Sequence, residues 1–271
     1  MVKKERVDVL LVQKGHFETR QQAQRSIMAG LVYVENDRID KAGTKVPVDA
    51  SMLVKGQLHP YVSRGGLKLE KALQVFPIQL QDRVMMDIGA STGGFTDCAL
   101  QQGVKMVYAI DVGYGQLAWK LRQDPRVIVM ERTNFRYLTE DELTNEKPDF
   151  AVIDVSFISL SLIFPTLKNV CKPNTEGIAL VKPQFEAGRE HVGKKGIVRD
   201  PTIHQLVLHQ FVKTVTENNL TVKGLTVSPI QGSEGNIEFL GYFSTEKQTT
   251  QMDWSSVIDE VVKEAHHTDH T

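Results

Sequence analysis

A chain of 271 residues, 41% hydrophobic and 24% charged, has a globular composition and enough length for one large domain plus a small one, which excludes disordered, collagen-like and disulfide-framework classes. No apolar run approaches the ~20 residues of a membrane span. The opening segment has neither a signal-peptide core nor a small-residue cleavage site, so a cytoplasmic protein away from membranes is expected. The net charge of −1 hides an asymmetry: residues 1–61 hold ten Lys/Arg against seven Asp/Glu, a net +3 that leaves −4 for the remainder and points the basic segment toward nucleic acid.

Residues 6–14 place Val7, Leu10 and Leu11 at helical spacing. Glu18 or Thr19 caps a second helix running through Met28, and Gly30 stops it. Val32 and Val34, the turn Glu35-Asn36-Asp37, then Val46, Val48 and Val54 read as short strands, so residues 1–58 should form a compact α+β module. Gly56 and Pro60 interrupt the pattern, and 59–63 is read as a linker.

From residue 64 to 246 helices alternate with short apolar runs, the mark of a parallel sheet covered on both faces. A helix is expected over 64–76 and strands over 83–88, 106–111, 127–130, 150–155, 177–181, 221–228 and 237–243. Between the fifth and sixth strands a helix begins with Asp200 as N-cap and Pro201 at N1, with Ile203, Leu206, Val207, Phe211, Val212 and Val215 on one face. The last two strands are joined too closely for a crossover helix and should pair antiparallel. The fold class is therefore α/β, a Rossmann-like seven-stranded, mostly parallel sheet of the class I methyltransferase kind. Residues 247–271 give a polar stretch, a helix capped by Asp253 with Trp254, Val257, Ile258, Val261 and Val262 as a docking stripe, and a frayed tail. Its histidines lack a matching ligand set upstream, Cys98 and Cys171 read as core thiols, and no metal is expected.

Asp87-Ile88-Gly89-Ala90-Ser91-Thr92-Gly93-Gly94-Phe95 follows a strand and opens a helix, where a glycine turn lets backbone approach a cofactor closely. On this reading Gly89 makes the tight turn, while Gly93 and Gly94 clear the approach path. Asp111 ends the next strand, placed to accept the ribose hydroxyls of an adenosine moiety, with Val112 beside it. NAD would use the same acid, but a pyrophosphate wants a helix N-terminus free of carboxylate charge. Asp87 before the turn suits the sulfonium and ammonium of S-adenosylmethionine better. Asn134, after the third strand, can reach the adenine edge or simply form a turn.

Asp154 and Lys182 follow the fourth and fifth apolar runs, where open parallel sheets place their ligands. Lys68 on the first helix of this domain and Glu238 in the last strand would complete a set of two cations and two anions. Such a set has a use when a ribose 2′-hydroxyl must lose its proton while attacking a methyl sulfonium. A solvated lysine titrates near ~10.4 and is no base at neutral pH. Burial and a neighbouring ammonium work against its proton, and two carboxylates orient the amine, so Lys182 is the expected general base with Lys68, Asp154 and Glu238 positioning it.

These residues resemble the TlyA-type "hemolysin" group of ribosomal RNA 2′-O-methyltransferases, whose catalytic half is similar to the FtsJ/RrmJ ribose methyltransferases. The resemblance covers nearly the whole chain and rests on Arg6-Val7-Asp8, residues 61–69, 87–95, 111–119, 154–160 and 182–186. It implies a ribosomal-protein S-four-type RNA-binding domain at the N-terminus, and it matches Lys68, Asp154, Lys182 and Glu238 to the family's catalytic tetrad. It further implies S-adenosylmethionine as cofactor and methylation of a cytidine ribose in large-subunit RNA, with longer members also modifying small-subunit RNA.

Ribosomal RNA in its subunits is thus the expected partner, held through backbone phosphates by Arg6, Arg20, Arg25, Lys41 and Arg64. Gln21, Gln22 and Gln24 fill helix positions that are often basic in such modules, which predicts modest phosphate affinity. Three other readings compete: a cytolysin, which lacks a spanning segment; an RNA-binding assembly factor with a silent catalytic fold; and an NAD-dependent oxidoreductase.

Overall fold

The computed structural model describes residues 3–17, 19–28, 30–55, 59–232, 235–246 and 252–267. The chain divides into two units, Met1–Pro60 and Tyr61–Thr271.

In the first unit β1 (Lys4–Arg6) leads directly into α1 (Val7–Gln13), and α2 (Arg20–Met28) follows. The Thr19 hydroxyl accepts from the Gln22 N–H at 3.2 Å while the Gln22 side chain accepts from the Thr19 N–H at 3.1 Å, a reciprocal cap. The alternative cap, Glu18, lies outside the described residues, as do Gly56 and the end of the tail. Then come β2 (Val32–Val34), β3 (Asp37–Ile39), β4 (Lys45–Pro47) and β5 (Met52–Val54). β2 pairs antiparallel with both β3 and β5, and β1 with β4. Val7, Leu10, Leu11, Ala23, Ile27, Val32 and Val34 close the core between the helices and these strands. β1 was not anticipated, because Lys4-Glu5-Arg6 carries no apolar residue to mark an alternation.

The second unit opens with α3 (Gly65–Val75), then β6 (Val84–Ile88), α4 (Gly94–Gln101), β7 (Met106–Ile110), α5 (Trp119–Arg122), β8 (Val127–Met130) and β9 (Phe150–Ile153). It continues through α6 (Phe164–Val170), β10 (Glu176–Val181), α7 (Pro183–Glu186), α8 (Pro201–Glu217), β11 (Thr221–Val227), β12 (Phe239–Ser244) and α9 (Ser255–His267). Among the described residues seven strands form one sheet in the order β11-β12-β10-β9-β6-β7-β8. β12 runs antiparallel to both β10 and β11, and the remaining pairs are parallel. The order reverses at β6, whose neighbours β7 and β9 lie on opposite sides, and such a switch point opens a crevice beyond the carboxyl ends of the strands.

Successive strand residues face opposite layers. Val84, Met86, Ile88, Tyr108, Ile110, Ala151 and Ile153 pack under α6, α8 and α9, while Met85, Val107, Ala109, Phe150 and Val152 pack under α3 and α4. α9 belongs to the first layer through Ile258, Val261, Val262 and Ala265. Asp200 caps α8 by accepting from the Thr202 N–H at 2.9 Å.

Three details differ from the sequence reading. Leu206 is 51% exposed, because the buried stripe of α8 runs His204, Val207, Leu208, Phe211, Thr214 and Val215; His204 enters the core by bonding the Val198 carbonyl and His266. The fourth strand stops at Ile153, where the chain turns over Gly89. The last strand starts at Phe239, so Glu238 precedes it, since Asn236 and Glu238 offer their carbonyls to Gly232 and Ser228.

Candidate active site

Strand parity decides which side chains meet. Asp111 and Asp154 each stand two residues beyond Ala109 and Val152, and Lys182 and Glu238 two residues from Leu180 and Leu240, all on the layer facing α3. Lys68 projects from α3 into the same space. The four charges form a chain. Glu238 Oε2 accepts from Lys68 Nζ at 2.8 Å, Lys68 Nζ lies 3.5 Å from Asp154 Oδ2, and Asp154 Oδ1 receives Lys182 Nζ at 2.6 Å. Lys182 Nζ also donates to Ser156 Oγ at 3.0 Å. All are sheltered, with Lys68 7%, Lys182 8% and Glu238 3% exposed, so the charges act on one another with little screening by water.

Beside this cluster a cavity of about 380 Å³ opens, within the size range of small-molecule sites. Gly89, Ser91, Asp111, Val112 and Asn134, expected to bind a cofactor, line it together with Asp154. Asp111 is held by two backbone donors, the N–H of Ser91 and that of Gly113, each at 2.7 Å, which leaves further lone pairs on both oxygens for hydroxyl donors. Asn134 is occupied on one side, its Oδ1 accepting from the Arg136 N–H at 3.2 Å.

The remaining turn residues have other tasks. Ala90, Thr92, Gly93, Gly94 and Phe95 do not border the cavity. A Cβ on Gly94 would collide with Ser63 Oγ and lie 2.7 Å from Gly66 N, and one on Gly93, at φ +96°, would strike Leu117 and Leu121. These two glycines admit helix packing. Gly89, at φ +88°, admits the backbone of Asp154. Asp87 stands behind the cavity wall: it is fully buried, its Oδ2 accepts from the Thr96 N–H at 3.1 Å and Oγ1 at 2.6 Å, and it is not among the residues lining the cavity. That bond places a carboxylate on the N-terminus of α4, where a pyrophosphate would otherwise sit. Burial pushes the Asp87 carboxyl up to about 7, against the Thr96 hydrogen bonds, with Asp154 and Asp111 adding to the rise.

Sequence reasoning missed Ser156, Phe157, Thr133, Phe135 and Gln116 in the cavity wall. Phe157 is 90% exposed, holds φ +63°, and leans on Phe185 with ring centroids 5.0 Å apart. The residues around it are clamped, because Glu186 accepts from Ser159 Oγ at 2.8 Å and from the Leu160 N–H at 2.9 Å, with its carboxyl raised by burial. An aromatic directly after the Asp-Val-Ser run was the available signal.

In the first unit Asp8, fully buried, gathers Arg6 at 2.9 Å, Arg20 at 2.9 Å and Gln24 at 2.8 Å. The hydrogen bond from Arg6 holds its carboxyl well below the usual range. Arg6 and Arg20 thus spend part of their donor capacity internally, and Gln24 fills a structural slot. Arg25 and Lys41 are exposed, and so is Arg64 at the start of α3.

The donor set fits an adenosyl cofactor. Ile88, Ile110, Val112 and Phe135 supply an apolar bed, Asp111 stands where ribose hydroxyls would be accepted, and a buried carboxylate oxygen of Asp87 lacks a partner among the described residues. Among the described residues no His/Cys/Asp/Glu group suits a metal ion, and no helix is long and apolar enough to cross a membrane.

Residues 61–244 match the FtsJ-like methyltransferase family and residues 5–51 the S4 domain. The chain is 58% identical over 268 residues to a candidate rRNA methyltransferase, YqxC, of Bacillus subtilis, covering 98% of this chain and 95% of the relative. It is 40% identical over 247 residues to the 16S/23S rRNA (cytidine-2′-O)-methyltransferase TlyA of Mycobacterium tuberculosis, covering 91% of this chain and 92% of that one. A solved structure of a candidate hemolysin from Streptococcus thermophilus superposes with a TM-score of 0.77 at 52% identity, covering 98% of this chain and 97% of the other.

Proposed function

The chain belongs to the FtsJ-like methyltransferase family, with an S4 domain ahead of the catalytic one, and from that premise we propose how its site works and on what. It is an S-adenosylmethionine-dependent RNA 2′-O-methyltransferase, and its substrate is the ribose of a cytidine in ribosomal RNA, presented within a ribosomal subunit. The cofactor supplies an electrophilic methyl group on a positively charged sulfur.

The observation that carries the mechanism is the Glu238–Lys68–Asp154–Lys182 chain at the rim of the cavity. With its Nζ unprotonated, Lys182 would take the 2′-hydroxyl proton as that oxygen gains the methyl group the cofactor would supply, and would then pass the proton to solvent. Asp154 orients the amine through Oδ1 and Ser156 fixes it from a second direction. Lys68, anchored by Glu238, shares Asp154 and keeps that carboxylate from satisfying Lys182 alone. The target nucleotide must leave its stack to reach this depth. Phe157, exposed on the cavity wall, offers its ring to the extruded base.

Lys182→Ala is expected to retain cofactor binding and to lose methyl transfer by about 10²- to 10⁴-fold, the usual contribution of a general base. The measurement is incorporation of labelled methyl into unmodified ribosomal subunits, mapped by resistance of the modified linkage to alkaline and nuclease cleavage. Full transfer by Lys182→Ala would remove Lys182 from that role.

A further inference from the structure

Three carboxylates, Asp87, Asp111 and Asp154, share one layer at the carboxyl ends of three adjacent strands, and they are not equally satisfied. Asp154 meets two lysine side chains, Lys182 and Lys68. Asp111 meets two backbone donors. Asp87, the most deeply buried of the three, bonds only neutral Thr96 through one oxygen, and its Oδ1 has no partner among the described residues. From α4, packed over β6, the remaining titratable groups are Asp97, which is engaged by Lys120 at 2.8 Å and by the Val62 N–H, and the Cys98 thiol, pushed up to about 12 by burial. No cation of the described residues is within ion-pairing distance of Asp87. An ionised carboxylate in that position is offset only by the two Thr96 hydrogen bonds and the N-terminus of α4, with no counter-charge, and burial favours its protonated form.

We infer that Asp87 is the residue by which this site tells the cationic methyl donor from its neutral thioether product: it holds a proton when no cation occupies the cavity and releases it to solvent when a sulfonium does. The inference rests on the cofactor reading above. Its charge balance closes over a turnover. Binding of the sulfonium expels one proton and leaves Asp87 anionic; methyl transfer removes the positive charge from sulfur; Asp87 then takes a proton back from solvent, and the neutral product loses the electrostatic partner that held its precursor. Gly89, two residues beyond Asp87 in the chain, lines the cavity, so the field acts through the low-dielectric turn between them.

Linkage gives the sign. Where the empty site is protonated, below about 7, each proton released makes affinity for S-adenosylmethionine climb with pH, by at most tenfold per unit, and the climb ends above that point. Affinity for S-adenosylhomocysteine should change little across the same window. Calorimetric titration of the full chain at pH 6 in two buffers of different ionisation enthalpy counts the protons. Up to one proton is expected to be released with S-adenosylmethionine and close to none with S-adenosylhomocysteine, and Asp87→Asn, which keeps an oxygen for Thr96, should abolish the difference. As a check that needs no variant, the infrared band of a protonated carboxyl should disappear on adding the first ligand and persist with the second. Equal proton counts for the two ligands, or release that survives in Asp87→Asn, would overturn the inference and leave the cofactor reading standing. Failure of both ligands to bind would overturn both.

Discussion

Phe157 sits in the left-handed region with its ring in solvent, a conformation that costs a non-glycine residue roughly 1–3 kcal/mol unless its surroundings impose it. They do: Lys182 bonds Ser156 on one side, Glu186 bonds Ser159 and Leu160 on the other, and Phe185 supports the ring. A ring held out in this way is suited to stacking. Base–aromatic stacking contributes ~1–3 kcal/mol per base, so Phe157→Ala should raise the KM for RNA by roughly 5- to 150-fold with a much smaller loss of cofactor affinity. Initial rates against substrate concentration, beside direct cofactor titration, check both halves. At this scale the sequence was legible for the charged tetrad, since each strand-borne member stands beside a buried apolar run. The packing of the two later glycines was not legible, because a glycine needed for helix contact and one needed for a ligand look identical in one dimension.

Between elements, the pairing of α8 with α9 carries a titration that no hydrophobic pattern announces. His204 is fully buried, its Nε2 is 3.2 Å from the Val198 carbonyl and its Nδ1 is 2.9 Å from His266 Nε2. A hydrogen on Nε2 satisfies the carbonyl and leaves Nδ1 to accept, which is the neutral form. Burial, then the neighbouring His266, lowers its pKa from 6.5 to about 4. The unfolded chain therefore binds this proton at a higher pH than the folded one. Stability from this group is complete above about 6.5 and is lost as pH falls toward about 4, by on the order of 3 kcal/mol in all. Urea midpoints recorded between pH 7.5 and 4 should decline accordingly, and replacement of His204 by an uncharged residue that still folds should flatten that part of the curve. The stripe of α8 was misjudged at Leu206 for the same reason: a histidine satisfied inside the core displaced a leucine to the surface.

For the molecule as a whole, the catalytic unit is acidic and the first unit basic, so phosphate affinity should concentrate in the first unit. Within it Asp8 already draws on Arg6 and Arg20, which leaves exposed Arg25 and Lys41 as the cations to remove without disturbing a buried carboxylate. Arg25→Gln with Lys41→Gln should weaken binding to ribosomal RNA across sequences and reduce the slope of log affinity against log salt by about one per lost phosphate contact. Filter binding at several salt concentrations measures it, and an unchanged slope would move the docking surface elsewhere.

What the sequence determined by itself was the order of strands and helices, the antiparallel last pair and the identity of the charged residues beside the strand ends, because burial on both faces of a sheet imposes continuous apolar runs that end abruptly. Only the tertiary structure decided which of those residues meet, since strand parity and the approach of α3 set that Lys68, Asp154, Lys182 and Glu238 converge while Asp87 is sealed beneath the turn without a counter-charge. Contacts between residues up to 170 positions apart depend on how the layers close, and that is information no local pattern carries.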